Sequence, residues 1–171
     1  MTYESGTTDV NYPSPLSNSS GKLDGLGLGA RVGFHVSEIV FLGADVRYTM
    51  SQFTDSSVSY DSKSTGTNWG PVVGMQMPIV GLRIWGSYIL GAELDPEKDG
   101  SFDVKFTKGT GYRLGAGFRL TAVSLNLEYQ QIKYDSATLQ QLGPFSSTSA
   151  FDGVDLESQL WIASLSFPFE F

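Results

Sequence analysis

The chain has 171 residues, enough for one domain, and we interpret residues 1–171 as a single domain. Its formal net charge is -7, with only 11 lysines and arginines, which argues against a nucleic-acid partner. No apolar run approaches the roughly 20 residues that a membrane helix requires, so a helical membrane protein is excluded. Strands that alternate apolar and polar residues remain compatible with the mean hydropathy of -0.08.

The first 25 residues of the chain carry the weakest signals. Residues 1–10 form a polar, threonine-rich stretch that predicts a weak strand, and residues 11–22 have the composition of a loop. The opening MTYESG lacks the charged segment and apolar core of a signal peptide. If the protein is exported, we expect that a signal peptide has been removed and that Met1 is an added start residue.

From Leu26 onward, apolar residues recur at every second position, which is typical of β-strands because successive side chains point to opposite faces. Seven stretches follow this rule clearly, and residues 1–10 supply an eighth, weaker one. The seven clear stretches are 26–36, 40–51, 68–77, 80–93, 102–120, 123–130 and 159–171.

The connections between these strands alternate between short and long. Short turns fall near 37–38, 78–79 and 120–122, and long polar loops are predicted at 11–22, 52–67, 95–101 and 135–155. Small outer-membrane barrels have this asymmetry, with short periplasmic turns and long extracellular loops. With eight strands, both termini fall at the short-turn end, as closure of a ring requires.

The two faces of the predicted strands differ in an unusual way. One face is aliphatic and aromatic along nearly every strand, as with Leu28, Val46 and Leu114, and the other carries glycine, serine, asparagine and charge. A soluble barrel of this size fills its centre with apolar side chains. Here the charged face also carries the glycines, and small residues are what a narrow interior needs around arginines. The pattern therefore predicts an apolar exterior that faces lipid and a polar interior.

Six amphipathic aromatic residues on the apolar face lie at one height, about eight to ten residues from the short-turn end of their strands. At about 3.3 Å per residue and a tilt of about 40°, this height is roughly 20–25 Å, which matches an apolar band. We interpret these residues as an aromatic girdle at the outer membrane boundary. They are Tyr48, Trp69, Tyr88, Tyr112, Tyr129 and Trp161.

The last strand, QLWIASLSFPFEF, places Phe167, Phe169 and Phe171 on one face and ends on an aromatic residue. This end resembles the closing strand of bacterial outer-membrane β-barrels, and the chain from Leu26 on resembles the eight-stranded OmpA/OmpX-type barrels. The resemblance implies an all-β, eight-stranded antiparallel up-and-down transmembrane β-barrel in the bacterial outer membrane. It also implies that the three phenylalanines form the C-terminal signal for the barrel-assembly machinery. The expected surroundings are outer-membrane lipid and lipopolysaccharide, and we expect a monomer.

Several charges share the inward parity. Arg31 and Asp45 lie at nearly equal distances from their shared turn, as do Arg113 and Glu128, so each pair is predicted to be cross-strand neighbours. Arg47 and Arg83 add positive charge nearby. Buried charges must pair or be hydrated, and an eight-stranded lumen is just wide enough for side chains. We therefore predict an ion-paired plug, with a narrow solute or ion channel as the alternative.

The sequence offers little catalytic chemistry. The single histidine, His35, faces inward near a short turn and no serine forms a constellation with it, so we predict no enzyme, no cofactor and no metal site. The glycine-rich runs follow strand alternation and are not nucleotide-binding motifs. A lipid-modifying enzyme and a soluble barrel that binds an apolar ligand remain as further alternatives. We expect a structural role or a role in recognition of a ligand or cell surface through the loops, whose acidic residues would also bridge to lipopolysaccharide through divalent cations.

Overall fold

The computed structural model describes residues 1–11, 18–55, 60–77, 81–97, 102–120, 122–142, 145–151 and 154–167. Within these ranges, no helix is long and apolar enough to cross a membrane. The secondary structure of these ranges consists of strands, in the following order. They are β1 (Thr2–Asn11), β2 (Ser19–His35), β3 (Val40–Asp55), β4 (Tyr60–Met77), β5 (Leu82–Pro96), β6 (Phe102–Leu120), β7 (Val123–Leu142), β8 (Phe145–Phe151) and β9 (Asp155–Ser166).

The strands form a closed antiparallel ring. Each strand from β1 to β7 pairs with the next one, and β1 also pairs with β9, so that Tyr3 lies between Leu26 and Ala163. β8 and β9 both pair with β7, one after the other along its length, and together they occupy the eighth position of the ring. The predicted eight-stranded up-and-down barrel is confirmed, and the weak stretch 1–10 forms a complete closing strand.

The two faces of the ring are arranged as the alternation predicted. Leu28 and Leu114 project outward and are 65% and 56% exposed, whereas Arg113 and Glu128 point inward and are 1% and 2% exposed. Glycines keep the wall thin where strands approach closely: a Cβ on Gly33 would lie 2.4 Å from the carbonyl oxygen of Leu42. The exterior of this part of the barrel is therefore apolar and its interior is charged.

The predicted loops 11–22, 52–67, 95–101 and 135–155 are wrong in extent, because the strands continue into all of them. β2 begins at Ser19, β3 and β4 leave only residues 56–59 between them, and β5 and β6 leave 97–101. Most of 135–155 belongs to the hairpin of β7 and β8. Beyond the aromatic residues the outward face carries Ser, Thr, Lys and Asp, so the composition resembles a loop although the backbone ladder continues.

The interior also changes character toward the long-loop end. Beside and above the ion pairs, many inward side chains are apolar and buried, and some have polar outward neighbours, as with Leu23 between Lys22 and Asp24; Glu4, Thr8 and Ser51 are buried among them. Within the described residues, this end therefore approaches the polarity of a soluble β-barrel, with a more apolar interior and a more polar exterior. The buried apolar residues are Val10, Leu23, Phe53, Ile89, Ala92, Leu94, Phe106, Ile132, Tyr134, Ala137, Val154, Leu156, Leu160 and Ile162.

Irregular pairing in β5 shifts the alternation by one residue. The register slips between Ile89 and Ala92 on the side of β6, so that Ile89, Ala92 and Leu94 all point inward. Strict alternation along 80–93 predicts Ala92 outside and Glu93 inside, and this prediction is wrong, since Glu93 lies on the outer surface. A bulge has this effect because one extra residue changes the face of every residue after it.

Candidate functional site

The inward-facing charges meet in the interior of the barrel. Arg31 on β2 lies directly opposite Asp45 on β3 in the strand register. The Nη2 atom of Arg31 lies 2.5 Å from Oδ2 of Asp45, and its Nε donates to the same oxygen at 3.1 Å. The structure thus brings together the pair that the turn geometry placed side by side.

Arg113 on β6 is the most deeply buried charge of this group. Its Nε and Nη2 donate to Oε1 of Gln130 at 3.0 and 2.6 Å, and Nη2 donates to Oδ1 of Asn68 at 2.5 Å. Its Nη1 lies 3.2 Å from Oδ1 of Asp45, and its Nε lies 3.6 Å from Oε2 of Glu128. One guanidinium therefore contacts groups on β3, β4 and β7, which hold it near the centre of the ring.

Two of these ion pairs join strands that are not neighbours. Arg47 on β3 pairs with Glu128 on β7, four positions away around a ring of eight. Arg113 on β6 reaches Asp45 on β3. Arg47 also approaches Asp45, with 3.6 Å between its Nε and Oδ1. The sequence predicted contacts between adjacent strands only, whereas the structure adds contacts across the lumen.

Arg83, the sixth charge assigned to the interior, lies nearer the short turns. Its Nη2 donates to Oε1 of Gln76 on the neighbouring strand at 3.1 Å. Between this level and the central ion pairs, the guanidinium of Arg31 stacks over the indole of Trp85, 4.7 Å from the ring centroid. Five of the six inward charges thus form a central cluster, and Arg83 lies closer to the short-turn end.

Glu4 is an interior charge that was not predicted from the sequence. It lies on β1, is almost fully buried, and accepts a hydrogen bond from Oγ of Ser51 at 2.9 Å. The alternation of Thr2, Glu4, Thr8 and Val10, which are all buried, was the available signal. This signal is weak because the two faces of a threonine-rich strand differ little in polarity.

The aromatic residues assigned to a girdle all lie on the outer surface. Tyr112, Tyr129 and Trp161 stand side by side on β6, β7 and β9, with ring centroids 6.4 and 5.3 Å apart. Tyr48, Trp69 and Tyr88 occupy corresponding outward positions on β3, β4 and β5. Their role as a boundary with the membrane headgroups stays a prediction. Of the C-terminal phenylalanines, Phe167 is exposed, and Phe169 and Phe171 lie outside the described residues.

A cavity of about 520 Å³ lies at the short-turn end, below the central ion pairs. Its wall includes Arg31, Arg83 and Trp85, together with His35, whose ring packs edge-on to Phe41 at 6.2 Å. The part of the chain that the structure describes holds no group of three His, Cys, Asp or Glu side chains that would bind a metal ion. The polar groups of this cavity are arginines, amides and hydroxyl groups, together with the carboxylates Asp45 and Glu128 and the imidazole of His35.

The model of the outer membrane protein β-barrel domain matches residues 3–169, nearly the whole chain. The chain belongs to this family. The location is therefore the bacterial outer membrane, as the alternation and the closing strand predicted, and the eight-stranded ring fits the small OmpA/OmpX type. A comparison with curated proteins gives no match. In outer-membrane barrels the short turns are periplasmic and the longer connections are extracellular, which orients the ring and its cavity.

Proposed function

We propose that this outer-membrane barrel is a non-enzymatic, non-conducting protein whose interior is closed and whose specificity lies at its extracellular end. The observation that carries the proposal is the succession of two barriers along the barrel axis. The first consists of the ion pairs that cross the lumen, and the second is the apolar interior toward the long-loop end.

Opening the first barrier would require a large free energy. Arg47, Arg113, Asp45 and Glu128 are all buried, and each contacts at least two partners of the group. Removing one partner of a buried ion pair costs about 3–5 kcal/mol, because the other charge stays desolvated. A solute that passed through this layer would have to separate such pairs.

Among the described residues, the second barrier consists mainly of apolar side chains, with Glu4 buried beside it. Ile89, Ile132 and Leu156 are at most 1% exposed and belong to one buried cluster with Leu94 and Phe106. An ion that lacks polar partners in an apolar region carries a desolvation cost of many kcal/mol. A gate made of ion pairs alone would open when those pairs rearrange. The apolar layer would still close the lumen in that case, so the proposed interior is a plug and not such a gate.

The extracellular end offers a surface for recognition. The first residues of β6 pair with the end of β7, and β7 pairs with β8, which gives a three-stranded sheet at this end. Among the described residues β8 pairs with β7 alone, and no strand of the described ranges occupies its other edge. An exposed strand edge supports β-augmentation by an extended segment of a partner.

Conductance in planar bilayers tests the closed interior. We expect wild-type protein to give no unitary currents, and we expect Arg47→Gln to stay silent as well, because the apolar layer remains. Steady currents in the wild type that change with Arg47→Gln would overturn the proposal in favour of a narrow channel. Refolding of both proteins is checked by heat-modifiable migration on gels, so that silence is not mistaken for loss of the barrel.

A further inference from the structure

We propose that the cavity at the short-turn end, which we call the periplasmic vestibule, binds small organic anions. The vestibule is lined by Arg31, His35, Gln76, Arg83, Trp85 and Asn126, among others. The ligand class is a carboxylate or phosphate group attached to a small apolar body. The closed inner end of the vestibule rests on the proposed closure of the lumen, whereas anion binding is measured separately from conductance.

Charge is the first observation. The protein carries a net charge of -7, yet the lining of the vestibule includes three arginines and two carboxylates. Those carboxylates, Asp45 and Glu128, are buried and already bonded to arginines. In the described ranges, every charged side chain at an inward position closer to the short turns is basic, and Glu38 lies in the β2–β3 turn. A cationic cup in an acidic protein concentrates anions.

The second observation is space. The vestibule encloses about 520 Å³, within the roughly 300–1,000 Å³ typical of sites for small molecules. Gly29 and Gly33 line it without side chains, which leaves room beside Arg31. The central ion pairs close the inner end of the vestibule, since Asp45, Arg47 and Glu128 belong both to the vestibule lining and to the central cluster. A ligand therefore enters and leaves on the periplasmic side.

The third observation is the mixture of surfaces. Trp85 and Phe41 give the vestibule an aromatic wall, and the guanidinium of Arg31 stacks on the indole of Trp85. Gln76, Asn126 and Ser164 add amide and hydroxyl groups. Binding sites for small molecules combine apolar walls with a few polar groups that fix orientation. The acid group of the ligand would lie between Arg31 and Arg83, and its apolar part would pack against the aromatic wall.

The test uses the refolded full chain in detergent micelles. The indole N–H signal of Trp85, assigned with Trp85→Phe, is followed by NMR during titration with phenyl phosphate and with benzoate. Benzamide and benzylammonium serve as probes of the same shape that are neutral and cationic. We expect saturable shifts with the two anions and none with benzylammonium.

Two variants keep the proposal falsifiable. Arg83→Gln is expected to weaken phenyl phosphate binding about tenfold, as loss of one charged hydrogen bond does. Asn126→Asp keeps the shape of the side chain while adding a negative charge, and it should abolish binding even if the first variant fails to refold. Lys133→Gln, at the extracellular end, is the matched control and should bind as the wild type does. No saturable shift, equal shifts with all four probes, or wild-type binding by Asn126→Asp would overturn the inference.

Discussion

Arg47 and Glu128 form an ion pair between opposite walls of the barrel, on strands four positions apart in a ring of eight. A contact of this kind differs from a cross-strand pair, because it spans the lumen and not one step of the sheet. It ties β3 to β7 independently of the backbone ladder. Through Asp45 and Arg113, the same cluster reaches β2 and β6.

Neutralising one member of the central cluster should destabilise the barrel. Glu128→Gln leaves Arg47 buried without its carboxylate, so we expect the free energy of unfolding to fall by about 3–5 kcal/mol. Arg47→Gln should have a similar effect, and the double variant should lose less than the sum of the two. Urea unfolding in lipid vesicles measures these changes. Lys133→Gln, which removes a solvent-exposed pair with Asp155, is the control, with at most about 1 kcal/mol expected. Additive losses in the double variant would contradict direct coupling.

The apolar interior should behave as a packed core. Leu156 is fully buried on the inner face of β9, so Leu156→Ala should cost about 2–5 kcal/mol through lost burial and the remaining cavity. Leu127, on the outer face of β7, is 56% exposed, and Leu127→Ala leaves no internal cavity. The same urea series compares the two variants. A larger loss for Leu127→Ala would show that the apolar interior of this end is not packed as described.

Tyr134 gives this interior a pH signature. It lies on β7 beyond the aromatic residues of the outer surface, and burial raises the pKa of its phenol well above the usual value of about 10. A raised pKa favours the neutral form in the folded state, so its stabilising effect is complete below pH 10 and decreases as the pH rises further. Alkaline unfolding should therefore begin at a higher pH in Tyr134→Phe, which cannot ionise there. An unchanged alkaline transition would contradict this account.

The extracellular sheet should carry recognition. Shortening the β7–β8 hairpin by replacing residues 139–149 with a two-residue turn removes the open edge of β8 while leaving the part of β7 that pairs with β9. We expect the variant to insert normally and to lose adherence to an epithelial cell layer, measured with bacteria that display each protein. Heat-modifiable migration controls for barrel formation. Equal adherence by the two strains, with equal amounts of each protein on the bacterial surface, would show that this hairpin has no role in recognition.

Much of the ring could be predicted because a membrane barrel imposes strict alternation. The outward Leu28 and Leu114, the short turns and the pairing of Arg31 with Asp45 all follow from counting residues from a turn. Counting residues from a turn does not predict contacts across the lumen. The contact of Arg47 with Glu128 depends on the closed ring, which brings together residues that lie far apart in the chain.

Two local features could not be predicted from the alternation of apolar and polar residues, for different reasons. The shift of alternation at Ala92 comes from an irregular register, which adds a residue on one strand without a distinctive sequence signal. The extracellular ends of the strands, such as Lys63 opposite Gln52, were read as loops because water, not lipid, meets their outer face. Alternation there survives mainly in the inward residues, as at Leu23 and Phe53.

Fluorescence quenching by brominated lipids tests the central claim, an apolar exterior around a charged interior, most directly. The chain has three tryptophans, of which Trp69 and Trp161 lie on the outer face while Trp85 is buried beside Arg31. Three variants that each retain one tryptophan, with phenylalanine at the other two positions, are refolded into vesicles of brominated lipid. The account predicts strong quenching of Trp69 and Trp161 and little quenching of Trp85. Strong quenching of Trp85, with Trp69 and Trp161 unaffected, would contradict it.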